Sequence, residues 1–429
     1  MLSRLLTFLK SKNVLLDFQF GFRMKHSTEH ACMTLLNFIH SALDSGLIPA
    51  AVFLDIRKAF DSLTHEILLS KMSHFGIRGN VFSWFQSYLK DRLISVDPLF
   101  RSPSQVNFGV PQGSVLGPVL FLIYVNDLYY VVKKQKLINC CRLCHPEPSL
   151  AHCGNYSSTS SDVLVCFPDY SSFGTSGNCE SELRLNLENL FGRVILWLDA
   201  NYLTLNFSKS SFFIFSRVSQ VYPQLSEIHQ PNGIIHRSKD RYVRFLGILV
   251  DENLSFKRHI DFIKMKICRS LGILRKLRHT FPGSISKILF HCLIQSYVSY
   301  CPIVWMSTFP SLLKPLSKVY NKARNLIQET NRSLVIPLLD LESLYILSCA
   351  CFTFAQLHGD LPRPLSVPLS FTSDQNNYNL RNMTNHVQVP FTPCIRSDFN
   401  PLMACHIVWN KLPESARGCH SFGLFKINC

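Results

Sequence analysis

The chain has 429 residues, a net charge of +16 and 47% hydrophobic residues, and a chain of this length predicts two or three domains. Mean hydropathy is +0.12, but the longest apolar runs, Val115–Tyr124 and Leu344–Phe354, are shorter than the ~20 residues that cross a bilayer. The positive charge favours a polyanionic partner, although a solvated basic surface explains it equally well. Because the start of the chain lacks the pattern of a signal peptide, the 16 cysteines indicate free thiols in a reducing compartment.

Hydrophobic periodicity predicts strands interleaved with helices, which is typical of an α+β fold. In chain order we expect an N-terminal amphipathic helix, a helix over 29–45, a buried strand over 50–56, a helix capped by Asp61-Ser62, helices over 80–92 and 114–128, an irregular stretch over 139–180, a helix over 181–202, strands over 212–215 and 242–250, and mostly helix over 252–330.

Two segments carry residues suited to catalysis. In AVFLDIRKAFD, residues 51–61, a buried strand ends in Asp55, where a carboxylate could hold Mg²⁺ or simply cap the next helix. Phe60 follows five residues later. In FGVPQGSVLGPVLFLIYVNDL, residues 108–128, glycines allow the backbone to approach a ligand closely, and Gln112 and Ser114 offer polar contacts.

These segments belong to a series of blocks that resembles the reverse transcriptase of non-LTR (LINE-type, jockey-like) retrotransposons. The blocks occur in the family's order and cover most of the chain: QFGFRMKHSTEHA, FLDIRKAFDSLTHEILLSKM, GIRGNVFSWFQSYLKDR, GVPQGSVLGPVLFLIYVNDL, WLDANYLTLNFSKS, RFLGILVDENLSFKRHI, SLGILRKLRH, SYVSYCPIVW, NYNLRNM and VWNKLPES.

The resemblance implies a right-hand polymerase fold, with fingers and an antiparallel palm sheet, an α-helical thumb and a small C-terminal region. We expect partial fingers and palm over 1–139, an atypical Cys/Ser-rich insertion over 140–166, the rest of the palm over 167–250, the thumb over 251–330 and the C-terminal region over 331–429.

The resemblance also assigns roles to single residues. Catalysis and metal binding fall to Asp55 and Asp169, with Lys209 as proton donor to the leaving group, and the nucleotide contacts fall to Arg23, Lys25, Phe60, Gln112 and Gly113. The ring of Phe60 would exclude a 2′-hydroxyl. Phe245-Leu246-Gly247 resembles the family's primer grip. The thumb residues expected to bind nucleic acid are Lys264, Lys266, Arg269, Arg275 and Lys276.

The sequence departs from the family at its Ala-Asp-Asp turn, which completes the metal site. The best match is Phe167-Pro168-Asp169-Tyr170, in which Tyr170 replaces the second carboxylate and Pro168 replaces a small residue. We therefore expect Asp55 and Asp169 to lie close enough to share Mg²⁺, and the site to be impaired or inactive because it lacks one negative charge.

Residues 142–166 match nothing in the family pattern. CRLCH, residues 141–145, overlaps their start and has a spacing that also fits haem attachment or part of a zinc cluster, although free thiols suit an intracellular chain better. An insertion, a frame-shifted stretch and unspliced sequence remain alternative explanations of this segment.

We therefore expect an RNA-directed DNA polymerase that is impaired or inactive, located in the nucleus or cytoplasm, with an RNA template, a DNA primer and deoxynucleoside triphosphates as partners and Mg²⁺ as cofactor if it is active. The alternatives are a catalytically dead nucleic-acid-binding remnant and the non-functional translation of a decayed element.

Overall fold

The structure is a computed structural model that describes all residues except 91, 95–103, 107, 112, 134–161, 168–169, 217–224, 278–279, 281, 331–337, 367–368, 371–385, 390–398, 420, 424 and 426–429. It divides into two compact units. The sheet unit comprises residues 1–26, 46–214 and 220–238, and the helical unit comprises residues 27–45, 215–219 and 239–429. The five domains expected from the sequence remain a prediction.

Strands and helices alternate along the described residues, as the periodicity predicts. The strands are β1 Ile48–Asp55, β2 Arg92–Ile94, β3 Ser104–Val106, β4 Val163–Phe167, β5 Tyr170–Gly177, β6 Ser211–Ile214, β7 Glu227–Gln230, β8 Gly233–Arg237, β9 Tyr242–Phe245 and β10 Ile248–Asp251. The helices are α1 Leu2–Ser11, α2 Thr28–Asp44, α3 His65–His74, α4 Gly79–Leu89, α5 Gly117–Val125, α6 Leu128–Val132, α7 Glu180–Ala200, α8 Lys257–Leu277, α9 Gly283–Phe290, α10 Ser296–Val298, α11 Pro302–Met306, α12 Pro310–Thr330, α13 Leu341–Leu357, α14 Pro401–Lys411 and α15 Glu414–Arg417.

The sheet unit is built on a six-stranded sheet with the order β4-β5-β1-β6-β8-β7. All neighbouring strands in it pair antiparallel except β6 and β8, which confirms the predicted antiparallel-rich sheet. Strand β1 lies in the interior of the sheet, and Ala50, Val52 and Leu54 join the main hydrophobic core. Strand β1 is therefore anchored on both edges, and its last residue, Asp55, has a well-defined position.

Strand β4 includes the last residues of the segment that we expected to be an insertion. Leu164, Val165 and Cys166 are buried, and β4 pairs with β5 along its whole length. Asp162, just before the strand, forms an ion pair with Arg193 of α7 at 3.8 Å. Residues 163–167 are therefore part of the six-stranded sheet, and Asp162 is tied to α7.

The cap expected at Asp61-Ser62 is wrong. The helix begins at His65, and Thr64 holds the N-cap position without a side-chain hydrogen bond. The hydroxyl of Ser62 instead donates to the carbonyls of Arg57, at 3.0 Å, and Lys58, at 2.7 Å, and so closes the turn that follows β1.

A buried lysine joins three helices of the sheet unit. Lys71 on α3 is 1% exposed, and its ammonium donates to the Tyr124 carbonyl at 2.6 Å, to Asp127 Oδ1 at 2.8 Å and to Asn201 Oδ1 at 2.6 Å. The Tyr124 hydroxyl donates to the Asn201 carbonyl at 2.7 Å. All three ammonium protons thus have acceptors, which is the condition under which a buried charge is tolerated.

We predict that Lys71→Met lowers the free energy of unfolding by about 3–5 kcal/mol, because it leaves the Asp127 carboxylate buried without its counter-charge. Urea denaturation followed by circular dichroism measures the loss. The double variant Lys71→Met/Asp127→Leu should lose less than Lys71→Met alone, since it removes both charges. The exposed Lys10→Ala serves as control, and a loss for Lys71→Met no larger than that of this control would contradict the analysis.

The helical unit confirms the mostly helical character predicted beyond residue 252. Its α8 buries Ile260, Ile263, Ile267 and Leu274 along one face, and α8 packs against β10 and α12. The single strand expected over 242–250 is a hairpin instead, in which β9 and β10 pair antiparallel with Phe245 opposite Ile248. Among the residues that the structure describes, no helix is long and apolar enough to span a membrane.

A largely buried carboxyl lies at the start of α2 in the helical unit. Glu29 accepts the Ile303 backbone N–H at 3.3 Å, and burial raises the pKa of Glu29 to about 7. The thiols of Cys32 and Cys405 lie close enough to interact electrostatically with the Glu29 carboxylate. Between the ordinary carboxyl pKa and about 7, the folded chain therefore keeps a proton that the unfolded chain has lost.

We predict that the helical unit loses stability as the pH rises from about 4.5 to 7, by an amount on the order of 3 kcal/mol, because the folded state must give up this proton. Glu29→Gln keeps an acceptor for Ile303 and should flatten the pH dependence. Thermal unfolding at several pH values measures the effect, and the exposed Glu342→Gln is the control. An unchanged pH dependence in Glu29→Gln would contradict the prediction.

Candidate active site

The candidate active site of the sheet unit lies where β1 ends beside the β4–β5 hairpin. Asp55, the last residue of β1, pairs in register with Tyr170, the first residue of β5, and Phe167 of β4 pairs with the same Tyr170. Pro168 and Asp169 connect the two strands and lie outside the described residues. The backbone thus places Tyr170 beside Asp55, whereas the metal-binding turn and the Asp55–Asp169 separation stay predictions.

The segment after α7 surrounds Asp55. Asn206 donates from its side chain to Asp55 Oδ2 at 3.3 Å and from its backbone N–H to the Asp55 carbonyl at 2.9 Å. The Ser210 hydroxyl accepts the Asp55 N–H at 3.1 Å. Lys209 Nζ lies 3.7 Å from Asp55 Oδ2. Two residues expected to act in catalysis, Asp55 and Lys209, are therefore brought together although they are far apart in the sequence.

The glycine-rich segment, residues 108–128, packs on the turn that follows Asp55. Gly109 donates to the Leu63 carbonyl at 2.7 Å, and its own carbonyl lies 2.7 Å from His65 Nε2. A Cβ at Gly109 would lie 2.8 Å from the Asp61 backbone, and φ is +76° there, so only glycine fits. Phe60 is half-buried, with its ring centroid 4.9 Å from that of Phe121. This contact holds the ring expected to select deoxynucleotides.

The other residues expected to contact the nucleotide are Arg23, Lys25, Gln112 and Gly113. Arg23 donates to the Leu16 carbonyl at 2.6 Å and pairs with Asp17 at 3.6 Å, and burial lowers the pKa of Arg23. Lys25 is exposed and has a φ of +61°. Gly113 is also exposed, with a φ of +78°, and Gln112 lies outside the described residues.

The expected primer grip forms the turn of the β9–β10 hairpin in the helical unit. Leu246 and Gly247 are its two central residues, with φ values of +44° and +87°. Positive φ at both positions is typical of a type I′ hairpin turn. Phe245 is buried at the end of β9 and anchors the turn.

The five expected thumb residues lie on α8 but do not form one face. Arg269, Arg275 and Lys276 are exposed, whereas Lys264 and Lys266 are half-buried. Lys264 and Lys266 are two residues apart, about 200° around the helix, so they point to opposite flanks. The Lys266 ammonium lies 5.5 Å from the centroid of the Phe262 ring. The exposed basic face therefore consists mainly of Arg269, Arg275 and Lys276.

Sequence reasoning missed residues that hold the site without reacting. Asn206 and Ser210 fix Asp55, as described above. Asn126, near the end of the segment 108–128, accepts the Leu16 N–H at 3.0 Å and donates to the Val14 carbonyl at 2.7 Å, and so holds the residues before Arg23. All three are short polar residues inside family-like blocks, and this position was the available signal. Among the described residues, no group of three or more His, Cys, Asp or Glu side chains is placed to hold a metal ion.

Comparison with known proteins assigns the chain to a family. Residues 1–250 match the model of the reverse transcriptase (RNA-dependent DNA polymerase) family, so the chain belongs to that family. Within it, the relatives are polymerases of non-LTR, LINE-type elements. The chain is 25% identical over 334 residues to the "Probable RNA-directed DNA polymerase from transposon X-element" of Drosophila melanogaster, covering 76% of this chain and 33% of the relative.

A second relative is the RNA-directed DNA polymerase from mobile element jockey of Drosophila melanogaster, 28% identical over 266 residues, covering 61% of this chain and 26% of the relative. The chain thus spans about a third or less of the length of these relatives. Among solved structures, telomerase from Candida albicans in complex with a fragment of telomeric RNA matches with a TM-score of 0.38 and 12% identity, over 78% of this chain and 54% of the other.

We predict that the chain binds an RNA–DNA duplex through the basic face of α8, with an affinity that falls linearly with salt concentration on logarithmic axes. Arg269→Gln should reduce the slope by about 0.9, the value for one phosphate contact. Fluorescence anisotropy at several salt concentrations measures the slope. Lys411→Gln, an exposed basic residue on α14, is the matched control. Binding that does not respond to salt, or equal slopes for both variants, would contradict the prediction.

Proposed function

We propose that the chain is the polymerase region of a non-LTR retrotransposon reverse transcriptase whose capacity to extend a DNA primer on an RNA template is strongly reduced or lost. The observation that carries the proposal is the register of β1 and β5, which aligns Tyr170 with Asp55 at the candidate metal site. Family membership supports the reaction class, and the replacement of a carboxylate by tyrosine supports its impairment.

The residues at this site suit one divalent cation better than two. Enzymes of this family generally use divalent metal ions, and Mg²⁺ is commonly held by one or two carboxylates together with substrate phosphates. Asp55 is partly exposed at its strand end, and Asp169 would supply the second carboxylate. When bound, the metal would stabilise negative charge on the transferring phosphate. A tyrosine hydroxyl, which is neutral near pH 7, replaces the third carboxylate.

The chain's own residues would then bind and orient the reactants. Asp55 lies within reach of the Lys209 ammonium, and a lysine there can give a proton to the pyrophosphate leaving group. Phe60 would exclude a ribose 2′-hydroxyl by its bulk. Arg23 would have to leave the Leu16 carbonyl and Asp17 to reach a triphosphate, while Lys25 is exposed already. Gln112 and Gly113 are proposed to contact the nucleotide and template.

The missing charge has a large expected effect. The transferring phosphate gains charge in a water-poor site, where each fixed charge counts for more than in water. Replacing one carboxylate by a neutral phenol should therefore cost several kcal/mol in the transition state, which corresponds to on the order of a thousandfold in rate. The charge on Lys209 adds to the deficit, because its ammonium already balances part of the charge on Asp55.

A catalytically dead nucleic-acid-binding remnant is the second candidate. The exposed Arg269, Arg275 and Lys276 of α8 favour it, because phosphate binding needs no intact metal site. Either function would act on nucleic acid inside the cell, in the nucleus or the cytoplasm. Primer extension separates the two candidates.

We predict little or no primer extension by the purified chain on an RNA template with Mg²⁺ and deoxynucleotides. The variant Pro168→Ala/Tyr170→Asp, with residues 142–161 deleted, should raise the rate by on the order of a thousandfold, because it restores the carboxylate. The deletion ends before Asp162, since β4 and its anchor to Arg193 belong to the sheet.

Two controls sharpen this experiment. Tyr170→Phe in the same deleted background changes no charge and should restore nothing. Asp55→Asn should abolish whatever the repair gains. Vigorous extension by the unmodified chain would refute the proposed impairment, and a repaired chain that binds duplex but does not extend it would show that the metal-binding turn is not the cause.

A further inference from the structure

A tyrosine outside the expected site contacts the turn expected to hold the primer. The Tyr300 hydroxyl donates to the Leu246 carbonyl at 2.7 Å. Its ring lies against Gly247, where an added Cβ would be 3.3 Å from Tyr300 Cε1. Tyr300 belongs to the block SYVSYCPIVW, to which the proposed function gives no role. The contact therefore joins two parts of the helical unit that are far apart in sequence.

The turn needs such support because part of its backbone is strained. Leu246 has a φ of +44°, a conformation that costs a side-chain-bearing residue free energy unless its surroundings impose it. The neighbouring Gly247 adopts its φ of +87° without this cost. A hydrogen bond to the Leu246 carbonyl fixes the orientation of the peptide between these two residues. The hydroxyl thus acts on the strained position of the turn.

The backbone of Tyr300 is itself fixed by contacts with neighbouring residues. Its backbone carbonyl accepts the indole N–H of the fully buried Trp305 at 3.0 Å. The next residue, Cys301, has a φ of +49° and directs the chain into α11. Thr28 Oγ1, at the start of α2, lies 3.6 Å from Cys301 Sγ. The contacts of Tyr300 with Trp305 and with the Leu246–Gly247 turn, here called the brace, therefore extend from a buried tryptophan to the half-buried hairpin turn.

We infer that Tyr300 is a positioning residue that holds the Leu246–Gly247 turn in the conformation that receives the 3′ end of a nucleic-acid primer. The inference rests on the proposed function only for the identity of the primer. The brace on the turn rests on the contacts above. Because Tyr300 acts through Leu246 and not on the substrate, its loss should misplace the primer terminus more than it weakens duplex binding.

The turn itself is tested without nucleic acid. Tyr300→Phe removes the hydroxyl but keeps the ring against Gly247. Hydrogen exchange of the peptide containing residues 242–251 should become about fivefold faster, as expected for the loss of one hydrogen bond. The melting temperature should fall by less than about 4 °C, because one hydrogen bond is a small part of the stability of a chain of this size. Tyr297→Phe, three residues earlier on α10, is the matched control and should leave the exchange unaltered. Equal exchange in Tyr300→Phe and the wild-type chain would overturn the brace.

Primer placement is tested with an RNA template annealed to a DNA primer that carries 4-thiothymidine at its 3′ end. Irradiation should cross-link the wild-type chain within residues 242–251, located by mass spectrometry. At equal saturation, Tyr300→Phe should lower this yield by about fivefold while the duplex Kd changes by less than about twofold. Cross-links elsewhere in the wild-type chain, or an unchanged yield in the variant, would overturn the inference. A wild-type chain that binds no duplex at low salt would instead refute the proposed function, whatever the exchange result.

Discussion

A lysine ammonium removed from water determines how the helices of the sheet unit meet. Lys71 can be buried only if each of its protons finds an acceptor, and its acceptors come from α5, from the residue that precedes α6 and from the residue that ends α7. Any displacement of one of these elements would leave a charge or a carbonyl unpaired, at a cost of several kcal/mol. Lys71, Asp127 and Asn201, which belong to three different family-like blocks, therefore have a structural purpose.

The same cluster controls where the catalytic candidates lie. Asn201 accepts from Lys71 and also ends α7, so it fixes the point from which the chain returns toward β1. Leu205 then forms a bridge with Ile56, and Asn206 bonds to Asp55. The short chain segment from Asn201 to Lys209 is thus fixed by hydrogen bonds at several points between the buried lysine and Lys209. The position of an exposed ammonium beside Asp55 is thus a consequence of interior packing.

In the β4–β5 hairpin, the residues that stabilise the sheet differ from those proposed to bind the metal. Its strands bury Leu164, Val165 and Phe173 in the sheet, and these apolar residues suffice to keep the register with β1. Under the proposed function, tyrosine stands at the start of β5 where the family has a carboxylate. The fold can persist without that carboxylate, because the hydrophobic effect that maintains the sheet does not depend on the residues at the turn.

Several features follow from the sequence alone, because they depend on local patterns: α2 and α7 from their apolar periodicity and β1 from its buried run. The choice of Asp55, Phe60 and Lys209 as site candidates came from the resemblance of their blocks to the family. The tertiary structure decided the rest. Nothing local indicates that Lys71 is buried, that Asn206 holds Asp55, or that residues 242–250 turn back as a hairpin braced by Tyr300. The burial of Lys71, the support of Asp55 and the contact of Tyr300 with the turn depend on partners 53 or more residues away, and only the packing of distant segments brings such partners together.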